Sequence, residues 1–310
     1  MLDQEVRDLF AHNVIAMTAG DVPHLEAQIL PERVERIKDV PYIDDGLESH
    51  LLDIYKPEDT HSETPLPVIV DFHGGGLYYG SKENNECRDM RLAKCGFAVV
   101  NANYRLVPSV SFPAQLRDAM AVLVWIAENA TRYGLDANNV CVTGDSAGGA
   151  LALYLCAANG SAQLAGALGV KPSGLDIRAL AVTSGMFRLE GGVHATALGY
   201  YGKGYFQTPG DRVMMNPYLD LDKLVVDAGD ALPPIYMITS VEDFIADNTY
   251  ELARILHARH RNHALRVWPK GEERELGHVF NIVQAGDPEA TEASQVIAEI
   301  ADFCRSFCAE

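Results

Sequence analysis

Residues 140–158 constrain this chain more than any other stretch. A β-branched apolar run, Val140-Cys-Val-Thr143, passes into an alanine- and leucine-rich run through Gly144-Asp-Ser146-Ala-Gly-Gly149. The first run has the composition of a buried strand and the second the length of a helix. Small residues surround Ser146 on both sides, as a turn tight enough to hold a serine in a strained backbone requires, because bulk there would clash. At ordinary residue frequencies a bare Gly-x-Ser-x-Gly arises by chance in on the order of one chain in ten. Its position between an apolar strand and an apolar helix is what marks it as a nucleophile turn and not a plain glycine-rich loop.

The rest of the chain supplies a sheet to carry that turn. Apolar runs at 67–72, 96–102, 139–143, 178–183, 234–240 and 265–268 predict strands, and weaker ones lie at 34–40 and 51–55. Helical patterns at 113–133, 147–158, 248–260 and 289–307 alternate with them. The alternation predicts an α/β fold with a mostly parallel eight-stranded sheet flanked by helices. Two segments break it: the amphipathic start and a Gly-, Tyr- and Met-rich stretch at 186–231. The second interrupts the sheet between two strands and so leaves at its carboxyl edge, where ligands bind in such folds. Both read as a cap, about 1–30 and 186–231, on a single domain spanning 1–310.

Charge and composition narrow the partners. With 25 basic and 43 acidic residues the net charge is −18, which repels phosphate and argues against nucleic acid or an anionic membrane surface. The start lacks the basic and apolar regions of a secretion signal, and no apolar stretch approaches the roughly 20 residues that span a bilayer. A soluble, cytoplasmic protein without stable membrane association is expected, and a homodimer is compatible with it. The six cysteines show no two-residue spacing of a zinc or redox site, so no metal is expected.

A second glycine motif, His73-Gly74-Gly75-Gly76, follows the strand at 67–72. When a hydroxyl attacks an ester carbonyl, negative charge grows on the oxygen, and a donor fixed in advance stabilises it by roughly 3 kcal/mol. Amides without side chains serve well. Gly75 and Gly76, with Ala147 at the helix start, are the candidate oxyanion donors, and His73, Gly74, Gly144, Asp145 and Gly148 support the two turns. A nucleotide loop would carry Lys-Ser/Thr here, and this one does not.

These residues resemble the hormone-sensitive-lipase-like branch of the α/β-hydrolases. Leu52-Asp-Ile-Tyr-Lys-Pro57, Asn103-Tyr-Arg-Leu-Val-Pro108 and Phe112-Pro-Ala114 with Asp118 follow the family's order, so the similarity runs over about 51–280. The resemblance implies an α/β-hydrolase fold, carboxylester hydrolysis without cofactor, and a cap built from amino-terminal helices and an insertion after strand six. It also implies an acid at the first position of Asp243-Phe-Ile-Ala-Asp247, with Glu242 and Asp247 as rivals, Asp247 reading as the cap of the next helix. The base must reach the sheet's carboxyl edge from a loop. His257 and His260 fall on a helix and His263 at the opposite edge, whereas His278 lies beyond the last strand, in the chain order Ser, Asp, His of this fold. The family's His-Gly-Phe is Gly277-His278-Val279-Phe280 here, after an unusually long, charged loop.

The expected reaction is cleavage of a small-molecule, short-chain acyl ester through an acyl-enzyme, with Ser146, Asp243 and His278 as a triad. Leu77, Tyr78, Tyr201, Tyr205 and Phe206 are candidates to line the substrate pocket. The same triad could serve an amidase or arylformamidase, which formamide turnover would reveal. A non-catalytic ligand-binding homologue is the reading from a different class, and labelling of Ser146 by a fluorophosphonate separates it.

Overall fold

The computed structural model describes residues 4–58, 64–190 and 202–309. Its strands are β1 (Val34–Pro41), β2 (Leu51–Pro57), β3 (Leu66–Phe72), β4 (Ala98–Ala102), β5 (Leu135–Asp145), β6 (Ile177–Thr183), β7 (Ile235–Ser240) and β8 (His263–Trp268). They form one sheet in the order β1-β2-β4-β3-β5-β6-β7-β8. Only β2 runs antiparallel to its neighbours; the rest are parallel, as the alternating pattern predicts. Strand β5 extends past the apolar run to Asp145, because Gly144 still pairs with Phe72 and Asp145 with Thr183. That extension carries the chain to the sheet's carboxyl edge before Ser146.

Helices α1 (Gln4–Ala27), α2 (Glu86–Lys94), α3 (Phe112–Tyr133), α4 (Ser146–Gly160), α5 (Ala162–Ala167), α6 (Pro209–Met215), α7 (Leu221–Ala228), α8 (Ala246–Ala258), α9 (Phe280–Val283) and α10 (Thr291–Phe307) surround the sheet. Successive strand residues face opposite sides. Val68, Val70 and Phe72 pack with Leu116, Leu123, Leu151 and Leu155 of α3 and α4, while Ile69, Val99 and Cys141 pack with Met90 of α2 and Val296, Ile297 and Ile300 of α10. Helix α4 is buried from Ser146 to Asn159, which is why its sequence is apolar on every side.

Helix α2 has no counterpart in the sequence reading. Its apolar stripe is masked by Arg88 and Asp89, which are themselves buried. Helix α1 runs to Ala27, and only Val6 and Phe10 on it are buried. The Phe10 ring sits 5.0 Å from that of Tyr78 and 6.5 Å from that of Tyr205. It occupies the space a side chain at Gly204 would take, since a Cβ there would lie 2.2 Å from the ring. No described helix is long and apolar enough to cross a membrane. Tyr201 and the 191–201 part of the cap reading lie outside the described residues.

Candidate active site

Four loops at the carboxyl ends of β3, β5, β7 and β8 converge. Ser146 begins α4 with φ +48°, the left-handed region that a tight strand-to-helix turn imposes. The turn closes only because Gly148 has no side chain: a Cβ there would fall 2.0 Å from the Phe72 carbonyl oxygen. Met186 N–H donates to the Ser146 carbonyl at 2.8 Å, tying the end of β6 to the turn.

The structure brings Ser146, His278 and Asp243 into one chain of contacts. His278 Nε2 lies 2.9 Å from Ser146 Oγ, and its Nδ1 lies 2.8 Å from Asp243 Oδ1. Asp243 accepts further bonds from Thr239 Oγ1 at 2.9 Å and Ile245 N–H at 3.1 Å. Burial alone would push this carboxyl up; the bond and charge of His278, with the Ile245 amide, outweigh it and hold the group below its ordinary range. Val279 adopts φ +51° and its N–H donates to Ser184 Oγ at 3.2 Å, which sets the His278 loop. The Phe244 ring lies 4.6 Å from the imidazole, tilted by 50°.

The rival acids have other partners. Glu242 accepts N–H bonds from Gly271 and Leu276 at 3.1 and 2.8 Å and so shapes the long loop before His278. Asp247 does not cap a helix: α8 is preceded by Ile245 without a side-chain cap. The Asp247 carboxylate instead pairs with Arg188, which also pairs with Glu251.

The His73-Gly74-Gly75-Gly76 segment is clamped from several sides. Gly75 and Gly76 have φ +101° and +62°, and a Cβ at Gly75 would meet the Tyr79 carbonyl oxygen at 2.1 Å. His73 is buried against Tyr104, ring centroids 4.5 Å apart, and meets the Gly74 carbonyl at 2.7 Å through Nδ1. Tyr104 and Tyr205 hydroxyls donate to the carbonyls of His73 and Gly76, and the Gln115 amide donates to that of Leu77 at 2.8 Å. Among the described residues no hydrogen-bond acceptor takes the amides of Gly75, Gly76 or Ala147.

Asp145 joins the two motifs. Its Oδ1 accepts the Gly74 N–H at 3.2 Å and Asn85 Nδ2 at 2.8 Å, while Asn85 also donates to Asp71. Burial pushes this carboxyl up to about 6, with Asp71 adding to the rise and Arg88 opposing it. The folded chain therefore holds this proton more tightly than the unfolded chain. Its contribution to stability is complete below the ordinary value of 3.8 and falls as pH climbs to about 6, a loss of about 3 kcal/mol by linkage. Asp145→Asn removes the titration. The variant's stability relative to wild type is expected to improve from pH 4 to pH 7 in urea unfolding, and an unchanged difference would refute the assignment.

A cavity of about 650 Å³ opens on Ser146 and His278, within the usual size of a small-molecule site. Tyr78 and Tyr205 line it, with Tyr79, Met186 and Phe244. Two expected pocket residues do not. Leu77, with φ +68°, and Phe206 turn into the core; Phe206 packs edge-on against Phe112, centroids 6.4 Å apart. The sequence reading also missed Asn85, Phe244 and the α1 residues Asp21 and His24, which complete the walls. Only the position of Phe244 beside Asp243 offered a signal.

The family model BD-FAE matches residues 52–185. Carboxylesterase NlhH of Mycobacterium tuberculosis is 36% identical over 147 residues, 47% of this chain and 43% of the relative. Esterase LipI of the same organism is 36% identical over 104 residues, 33% of this chain and 32% of the relative. The matches thus span less than half the length of these curated relatives. Among solved structures, esterase B of Lactobacillus rhamnosis, inhibited by a C4-C4 tributyrin phosphonate, superposes with a TM-score of 0.87 at 25% identity, covering 98% of this chain and 97% of that one. A Pyrobaculum calidifontis esterase, 24% identical with a TM-score of 0.70 over 98% of this chain and 92% of that one, shares the fold.

Proposed function

We propose that this chain, which belongs to the α/β-hydrolase carboxylesterase family, is a serine hydrolase of short-chain acyl esters. The observation that carries the reading is the unbroken path from Asp243 through His278 to Ser146, at 2.8 and 2.9 Å, beside three amides without an acceptor among the described residues.

In the first half-reaction, His278 Nε2 takes the Ser146 proton as Oγ attacks the ester carbonyl. Asp243 keeps the other ring proton on Nδ1 and stabilises the imidazolium. Charge gathering on the carbonyl oxygen is met by the amides of Gly75, Gly76 and Ala147, which need no reorganisation because their loop is already clamped. His278 then returns the proton to the departing alcohol, leaving the acyl group on Ser146, and water repeats the sequence. Helix α1 and the segment from residue 202 to α7 act as the cap over the cavity. The short-chain preference draws support from the cavity's size and from the tributyrin phosphonate bound by esterase B.

The test is stoichiometric labelling by a fluorophosphonate, mapped to Ser146, with a p-nitrophenyl ester series and an aryl formamide beside it. Labelling at Ser146 and a rate optimum at short acyl chains are expected. No labelling would point to a ligand-binding homologue, an optimum at about twelve carbons or more would reject the short-chain assignment, and faster formamide turnover would move the enzyme to the amidases.

A further inference from the structure

Two cavities meet beneath the end of α1. The site cavity is bounded on one side by His24, Gln28 and Val283, and the same three side chains bound a second cavity of about 410 Å³. Gly286, Asp287 and Pro288 form part of the second cavity's far wall. His24 lies in the last turn of α1 and Gln28 directly after the helix end, and their side-chain nitrogens Nε2 lie 3.3 Å apart, so the two form one partition. The backbone behind them is fixed independently. Ile29 N–H donates to the Gly286 carbonyl at 3.4 Å, and a Cβ at Gly286 would lie 2.7 Å from Gln28 Cα. The partition is thus made of side chains on a held backbone, and shortening them opens the space between the cavities.

We propose that His24 and Gln28, with Val283 opposite, are specificity-determining residues: they form the wall that ends the site cavity and caps the length of linear alkyl chain a substrate can extend away from Ser146. This rests on the ester-hydrolase reading. Removing the wall would add the 410 Å³ compartment to the 650 Å³ one. Each methylene that then finds apolar cover gains roughly fourfold in kcat/KM.

The experiment measures kcat/KM for wild type, His24→Ala combined with Gln28→Ala, and Val283→Ala. Two homologous series are used, p-nitrophenyl alkanoates and alkyl acetates, so that the acyl and alkoxy directions are told apart. The readout is the long-chain to short-chain ratio within each protein, which a general loss of activity does not move. In the double variant that ratio is expected to rise by at least about tenfold in one series, and the series that responds identifies the chain running toward the wall. Val283→Ala changes a side chain that is 41% exposed and shifts the same ratio in the same direction, so the test survives misfolding of the double variant. Ratios equal to wild type in both series would overturn the wall while leaving the hydrolase intact. A wild-type protein that turns over neither series would overturn both.

Discussion

Ser146→Ala lowers turnover of p-nitrophenyl acetate by about a millionfold, the loss that follows when a nucleophile acting as one unit with its base is removed. The fold should not suffer. Alanine occupies the same left-handed backbone as serine at φ +48°, and its methyl group fits where the Ser146 Cβ already lies. Among the described residues the hydroxyl's hydrogen-bond partner is His278 Nε2 at 2.9 Å. An unshifted thermal melt together with the lost rate is the expected pair of results. Turnover within about tenfold of wild type would show that the hydrolysis, if any, uses another group.

Asp243→Ala lowers the same rate by about ten-thousandfold. The carboxylate is fully buried and is the acceptor for His278 Nδ1; without it the imidazole loses both its fixed tautomer and the charge that stabilises its protonated form. The variant also strands Thr239 Oγ1 and the Ile245 amide, so a drop in melting temperature accompanies the drop in rate. Asp247→Ala breaks the pairing with Arg188 and the hydrogen bond that Asn248 Nδ2 donates at 3.2 Å, neither of which involves His278 or Ser146, and so loses far less. A steady-state comparison of the two variants checks the assignment, and equal losses would refute it.

Legibility followed locality. The junction from β5 through Ser146 into α4 is one contiguous segment whose small residues and apolar flanks encode the turn directly, and the glycines after β3 are equally local. Asp243 and His278 are distant in sequence, and family order and loop position found them where composition could not. Helix α2 was hidden because Arg88 and Asp89 interrupt its apolar stripe, yet the fold buries them as an ion pair at 2.8 Å. Leu77 and Phe206 are apolar residues flanking the site, and composition does not distinguish facing a cavity from facing the core; φ +68° at Leu77 decides it. His24 and Gln28 are polar residues at and just past the end of a sparsely buried helix, which reads as an ordinary solvated surface until the opposing residues 283–288 are seen.

The interlock of Phe10 with Gly204 joins the amino-terminal helix to the segment that delivers the Tyr205 hydroxyl to Gly76. In the proposed mechanism, the ordering entropy of the Gly75–Gly76 loop is thereby met during folding and not again at every catalytic cycle. Contacts that touch no substrate thus bear on the site: a change at position 10 or 204 is expected to disturb the placement of the Gly76 carbonyl together with the stability of the core.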